Sequence, residues 1–297
     1  MNGKSAVKLI ISTVVGLVLG LIIGIIYIIL KILFPNNLGI ITDIYKYTAI
    51  GLFCIAIVVI FIIMFIATIQ EFNFMKLYNN ELTYNGLSEE IYRAASKRKR
   101  RYKNNKYSVG YIGSANIIAN YFASIEKYDE AIGHIEEFDF NELKKKLKID
   151  SNNPSRTNLV TFFSLADSAI SLYAEIDYKE KADEVYSVIQ PLYNKYVSKY
   201  DFLTNILYEA NFKYQLYKEN FEEAKSILYI LKNTEPFFYY AFKLEYIRAA
   251  KEFDEEKIES TLKKAYENAE TQVYKKFSIQ SVDLAKKHLY EAMNKEA

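Results

Sequence analysis

A catalytic or metal-binding centre in this chain would have to draw on two histidines, His134 and His288, one cysteine, Cys54, and 36 Asp and Glu residues. Neither histidine has a His or Cys partner at ligand spacing, so each reads as a solvated or packed imidazole rather than a metal ligand. The single thiol excludes an intramolecular disulfide and a cysteine metal cluster. Within its apolar run it reads as a small hydrophobe. The glycines stop at Gly133. Phosphate-cradling loops, dinucleotide fingerprints and nucleophile elbows, which need glycine at tight backbone positions, therefore cannot be built beyond it. Before it, GYIGS (110–114) lacks the surrounding pattern. Carboxylate runs such as FDEEKIES (253–260) fall where helix faces meet solvent. No catalytic residue, metal or cofactor is expected, and the chain reads as non-enzymatic.

Binding chemistry is richer. Residues 96–106, SKRKRRYKNNK, gather Lys97, Arg98, Lys99, Arg100, Arg101, Lys103 and Lys106. Most of this run ends a helix, SEEIYRAASKRKRR, that Ser88 can cap and whose first turn holds Glu89 and Glu90. Beside a membrane such a cluster attracts anionic lipid headgroups, at about 1 kcal/mol per charge. Nucleic acid, the other common polyanion, is not the expected partner. Up to residue 106 the chain has 13 Lys and Arg against 5 Asp and Glu, and after it 25 against 31. A basic neck carries an acidic body.

The elements that must position these groups begin with two apolar runs. Leu9–Leu30 and Thr48–Ile69 are each 22 residues without a charge. At about 1.5 Å per residue each reaches roughly 33 Å, the thickness of a bilayer core. The expectation is a transmembrane hairpin over 1–70, a juxtamembrane neck over 71–106 and a soluble body over 107–297. A cleaved signal peptide has an apolar core of about 7–15 residues and a small-residue cleavage site. The first run is longer and is followed by KILFPNNLGI. Lys4 and Lys8 on one flank, and Lys76, Arg93 and the neck on the other, give the expectation of both ends in the cytoplasm; the expected membrane is a bacterial or archaeal cytoplasmic one. The absence of Asp, Glu, Lys, Arg and His within the runs argues against a pump or transporter.

Ser12, Gly16, Gly20 and Gly24 recur at four-residue spacing in the first run. Helices in lipid associate through close packing of small residues. This stripe is therefore expected to receive either the second run, which offers Ala49, Gly51, Cys54 and Ala56, or a copy of itself in a homo-oligomer.

From 107 onward the apolar positions follow a helical period. Ile118, Ala119, Phe122 and Ile125 share one face; Tyr128, Ala131, Ile132, Ile135 and Phe138 share another. Here ANIIANYFASIEKYDEAIGHIEEF (115–138) resembles the tetratricopeptide repeat family, with Ala119, Phe122, Tyr128 and Ala131 in the family's order. Fainter copies follow around Tyr178 and Ala182, around Phe221, Ala224, Leu228, Leu231 and Pro236, and around Phe253, Leu262 and Ala265. A last helix, about 277–294, would cap the stack with Phe277, Leu284, Leu289 and Met293. The linker KIDSNNPSRTN (148–158) would separate the first pair from the rest.

The resemblance implies an all-α protein: a stack of helix pairs, an α-solenoid, whose first helices form a concave groove. In the first pair that groove would carry Asn116, Asn120 and Ser124. Family members that grip C-terminal carboxylates set Lys or Arg beside an Asn. Asn120 matches, but no basic companion is found in the later copies, so that clamp is not expected. The functional expectation is a membrane-anchored scaffold that recruits a protein or peptide partner. Its alternative is an oligomeric membrane effector whose helical body senses a ligand and rearranges the hairpin.

Overall fold

A computed structural model describes residues 24–33, 38–197 and 199–296 of the chain. Every element among them is a helix: α1 (Gly24–Leu33), α2 (Leu38–Tyr84), α3 (Glu89–Arg101), α4 (Val109–Ser124), α5 (Tyr128–Ile135), α6 (Phe140–Lys146), α7 (Arg156–Glu175), α8 (Lys179–Tyr196), α9 (Asp201–Tyr217), α10 (Phe221–Thr234), α11 (Pro236–Ala249), α12 (Glu255–Glu270) and α13 (Lys275–Glu296). The chain forms two units. One contains 1–75 with 101–105, the other 76–100 with 106–297.

In the first unit, α2 begins ten residues before the expected second span and does not stop at Ile69. Its stretch Lys46–Tyr84 is long and apolar enough to cross a membrane. Phe53, Phe61 and Phe65 are each about two-thirds exposed on it. A helix that is apolar on every side needs a core or a bilayer around it. Tyr27 of α1 and Thr42 of α2 share a hydrogen bond of 3.2 Å. Glu71 accepts from Tyr102 Oη at 2.8 Å and Arg101 Nη1 at 3.3 Å. Of the expected small-residue seam, Ser12, Gly16 and Gly20 lie outside the described residues. Nothing described comes within 4 Å of a Cβ placed on Gly24 or on Gly51.

The second unit opens with the last turns of α2, which the breaker Gly86 ends as expected. Gly86 has φ +74°, and a Cβ there would run into the Gln280 side chain, whose Oε1 accepts the Leu87 N–H at 2.7 Å. Ser88 Oγ caps α3 by accepting the Ile91 N–H at 3.3 Å.

Beyond α3, most helices pack on a neighbour in sequence, and α6 packs on α7 and α8. α4 lies against α5 and α7, α7 against α8 and α9, α10 against α9 and α11, and α13 against α11 and α12. The apolar core is handed along the same route. α9 gives Leu203 and Leu207 to one cluster and Phe212 and Leu216 to the next. α11 gives Phe242 and Tyr246 to the second and Leu244 and Ile247 to a third, shared with α12 and α13.

One turn recurs at the ends of α4, α7, α9 and α11. Glu126, Asp177, Glu219 and Lys251 all adopt φ between +54° and +60°. After each, an N–H reaches back five residues: Lys127 to Phe122 O (2.9 Å), Tyr178 to Tyr173 O (2.8 Å), Asn220 to Gln215 O (2.9 Å) and Glu252 to Ile247 O (3.1 Å). These bonds satisfy carbonyls that a helix end leaves open. Three residues into the following helix stand Ala131, Ala182, Ala224 and Ile258, all essentially inaccessible to solvent. The aromatic residues Tyr128, Tyr178, Phe221 and Phe253 do not share one such position.

Because L-residues are strained in the left-handed region, Glu219→Gly is expected to stabilise the chain by about 0.5–1 kcal/mol, allowing for glycine's extra unfolded-state entropy. Glu219 is exposed. Thermal unfolding of the full chain in neutral detergent, followed by helical circular dichroism, checks this.

Several expectations change. The segment 148–158 does not separate the first pair from the rest: Leu147, Ile149 and Pro154 are buried, Tyr196 Oη donates to Ile149 O at 2.6 Å, and α4 contacts α7 directly. The extra length is taken up by α6, a helix the sequence pattern did not reveal. Ile125 is 44% exposed, because α4 has ended before it. In α13 the deepest positions are Val282 and Leu289, with Phe277 and Leu284 only half-buried.

Candidate functional site: a polar row along the first helices

Counting back from each left-handed residue aligns the four helices. Ten residues before it stand Asn116, Asp167, Glu209 and Ala241; six before it stand Asn120, Ser171, Lys213 and Glu245. All eight are half-buried, neither in the apolar core nor fully in solvent. Two of the three expected groove residues, Asn116 and Asn120, thus open two rows that also hold the ionisable groups of Asp167, Glu209, Lys213 and Glu245. The third, Ser124, donates to Tyr121 O at 2.8 Å.

Lys213 is the hub. Its Nζ donates to Glu209 Oε1 at 2.6 Å, and only 18% of its side chain remains exposed. Burial opposes its charge, but the carboxylates of Glu209, Asp167 and Glu245 outweigh burial and hold its proton more tightly than usual. Asp167 is the reverse case. Burial, reinforced by Glu209, pushes its carboxyl well above the ordinary range, while Lys213 only partly compensates. Its Oδ1 is shut off from solvent without a hydrogen-bond partner, as is Asn116 Oδ1. Burial also raises Glu245, against the pull of Lys213 and Arg248.

A second group joins α7, α11, α13 and the α4–α5 turn. Arg248 grips Glu175 through two bonds of 3.2 Å. His288 lies between Glu175 (Nδ1 to Oε1, 3.5 Å) and Glu126 (Nε2 to Oε1, 3.3 Å), and Lys287 also pairs with Glu126. Together the two groups hold five carboxylates against Lys213, Arg248 and Lys287. Among the described residues no set of three His, Cys, Asp or Glu has the geometry of a metal site.

Sequence reading missed the charged part of the rows because the intervals between the turns are unequal. The left-handed positions also carry Glu, Asp and Lys where a helix end usually advertises itself with Gly. Lys213 stands where a basic companion of Asn120 would be sought, but Glu209 already engages it. The surface therefore favours cationic groups over carboxylates.

The basic neck divides. Arg98 Nη1 donates to Gly110 O at 3.0 Å and to Ser114 Oγ at 3.3 Å. Lys99 pairs with Glu137 and lies 2.9 Å from His134 Nδ1, and Arg101 pairs with Glu71. Lys97, Arg100, Lys103 and Lys106 stand exposed.

Around Glu137, burial alone would raise the carboxyl. Hydrogen bonds from His134, Lys99 and Tyr111 prevail and hold it at about 2. That stabilisation is full above the unfolded value of about 4.3 and fades as pH falls towards 2. Glu137→Gln should therefore cost about 2 kcal/mol at pH 7, with a smaller difference from wild type at pH 3 than at pH 7. Denaturant titrations at the two pH values decide it.

No protein-family model matches the chain, and no curated protein or solved structure gives a significant match.

Proposed function

We propose that the chain is a membrane-anchored adaptor of the helical-repeat kind, without catalysis of its own. In this reading a hairpin of spans over 9–30 and 48–69 fixes it in the cytoplasmic membrane, N-in and C-in. The second unit is a tetratricopeptide-like α-solenoid, and its first helices present a groove to a partner protein. The observation that carries the reading is the pair of aligned polar rows, Asn116–Asp167–Glu209 and Asn120–Ser171–Lys213–Glu245, half-buried and acidic in balance. Two of their oxygen atoms, on Asn116 and Asp167, have their hydrogen bonds unmade. Unmade bonds cost free energy in the free protein. Both atoms are closed to solvent, so it is the accessible part of the rows, acidic in balance, that would meet a partner segment bearing Lys or Arg.

The exposed neck residues Lys97, Arg100, Lys103 and Lys106 would add attraction to anionic lipid, and the anchor would raise the local concentration of whatever is bound. The test is photo-crosslinking in native membranes from position 120, with position 180 on the exposed side of α8 as control. A discrete partner captured from 120 and not from 180, and lost when Asn116 is changed to Lys, supports the adaptor. Equal labelling from both positions, or capture that survives Asn116→Lys, rejects the groove as the binding surface.

A further inference from the structure

The body has more acidic than basic residues, yet one recess in it gathers lysines. Between α10, α11 and α12 lies a cavity of about 290 Å³. Lys225, Lys232, Lys243 and Lys257 line it, with the rings of Tyr229 and Tyr239 beside them. One carboxylate, Glu252, faces them, and it is already engaged by Lys257 and by Tyr246 Oη at 3.3 Å. Lys225 reaches Glu222 at 3.4 Å. Lys232 and Lys243 form no ion pair among the described residues, and Lys243 is half-buried. Clustered ammonium groups repel one another, so an arrangement like this is more favourable when an anion neutralises it.

We propose that this recess binds a phosphate group carrying two or more negative charges, as a phosphate monoester or diphosphate. Three features support that class. The four lysines on three helices converge from different sides, which suits a multivalent oxyanion better than a single carboxylate. The floor is apolar, formed by Leu228 and Ile247, both almost fully buried, and Lys243 beside it is half-buried, so its charge is only partly screened. The volume lies at the small end of ligand pockets. Burial, with Lys257, Lys264 and Lys232 nearby, also pushes the Lys243 ammonium below its ordinary value, which an anion in the recess would reverse. The site is separate from the polar rows and does not depend on the adaptor reading.

The experiment is calorimetric titration of the full chain, in neutral detergent, with inorganic pyrophosphate. Saturable binding is expected. It should weaken about tenfold in Lys243→Gln and again in Lys232→Gln, the loss of one charge-assisted contact each. Lys181→Gln, a control whose lysine pairs with Glu184 on α8, should leave it unchanged. A second arm adds phosphatidic acid to the micelles. If it competes with pyrophosphate in the wild type but not in Lys243→Gln, the site takes a lipid headgroup. If pyrophosphate affinity persists undiminished, the site takes a soluble phosphate compound. Absence of saturable binding by either probe, or an equal loss in Lys181→Gln, overturns the proposal.

Discussion

Lys213→Met is expected to destabilise the helical unit by about 3–5 kcal/mol, the cost of removing one partner from a buried charge network. For a unit of this size that lowers the melting temperature by roughly 10 °C. Methionine keeps the length and apolar stem of lysine, so little packing is lost. What disappears is the one cation that Glu209, Asp167 and Glu245 all face. Glu209 loses its 2.6 Å donor, and the other two carboxylates, already raised by burial, are raised further. The defect should shrink as pH is lowered towards 4, where protonation relieves the uncompensated charge. A double variant, Lys213→Met with Glu209→Leu, should recover part of the loss, because the pair is removed together. Urea titrations of the four proteins in the cycle measure this directly. A Lys213→Met protein as stable as wild type at pH 7 would show that the carboxylates are solvated and that the row is ordinary surface.

Asp167→Asn should act in the opposite direction, raising stability at pH 7 by about 1–3 kcal/mol, because a neutral amide escapes the penalty burial places on the carboxylate, at about 1.4 kcal/mol per unit by which a carboxyl is raised. The sign follows from the direction of the shift. Asp167 holds its proton more tightly folded than unfolded. Between the unfolded value near 4 and the raised folded value, the native state binds more protons, so stability falls as pH rises through that window. Asparagine removes this dependence. The difference between variant and wild type should be small near pH 4 and grow towards pH 7. Lys213 retains Glu209 and Glu245 in the variant, so its charge stays compensated. Glu245, raised in the same direction, keeps part of the slope. Glu137, Glu126, Asp183 and Glu252 are lowered and contribute the opposite slope equally to both proteins. A stability difference constant from pH 4 to 7 would mean that Asp167 titrates normally.

The partner surface itself is tested by Asn116→Lys and the phosphate recess by Lys243→Gln, which act on different helices. Loss of one without the other distinguishes two independent sites from a general dependence on fold or charge.

Periodicity alone determined that the chain is helical, because apolar residues at helical spacing must be gathered onto one face to be buried. The cap at Ser88 and the stop at Gly86 were equally legible, since each depends on the chemistry of one residue. So was the apolar character of α2, which is local composition. The continuation of α2 to Tyr84 was not, because the apolar run ends before the helix does. Asn116 and Asn120 could be placed on a helix face from their spacing, but not beside anything.

Tertiary structure decided the rest. Left-handed turns at Glu126, Asp177, Glu219 and Lys251 carry no glycine signal, and only these turns set the register that aligns Asn116, Asp167 and Glu209. Contacts such as Arg248 with Glu175, or Lys99 with Glu137, join residues far apart in the chain. A local pattern fixes which face of a helix is polar. The charges that meet across helices, and hence the protons held by Asp167 and Lys213, depend on how the helices pack.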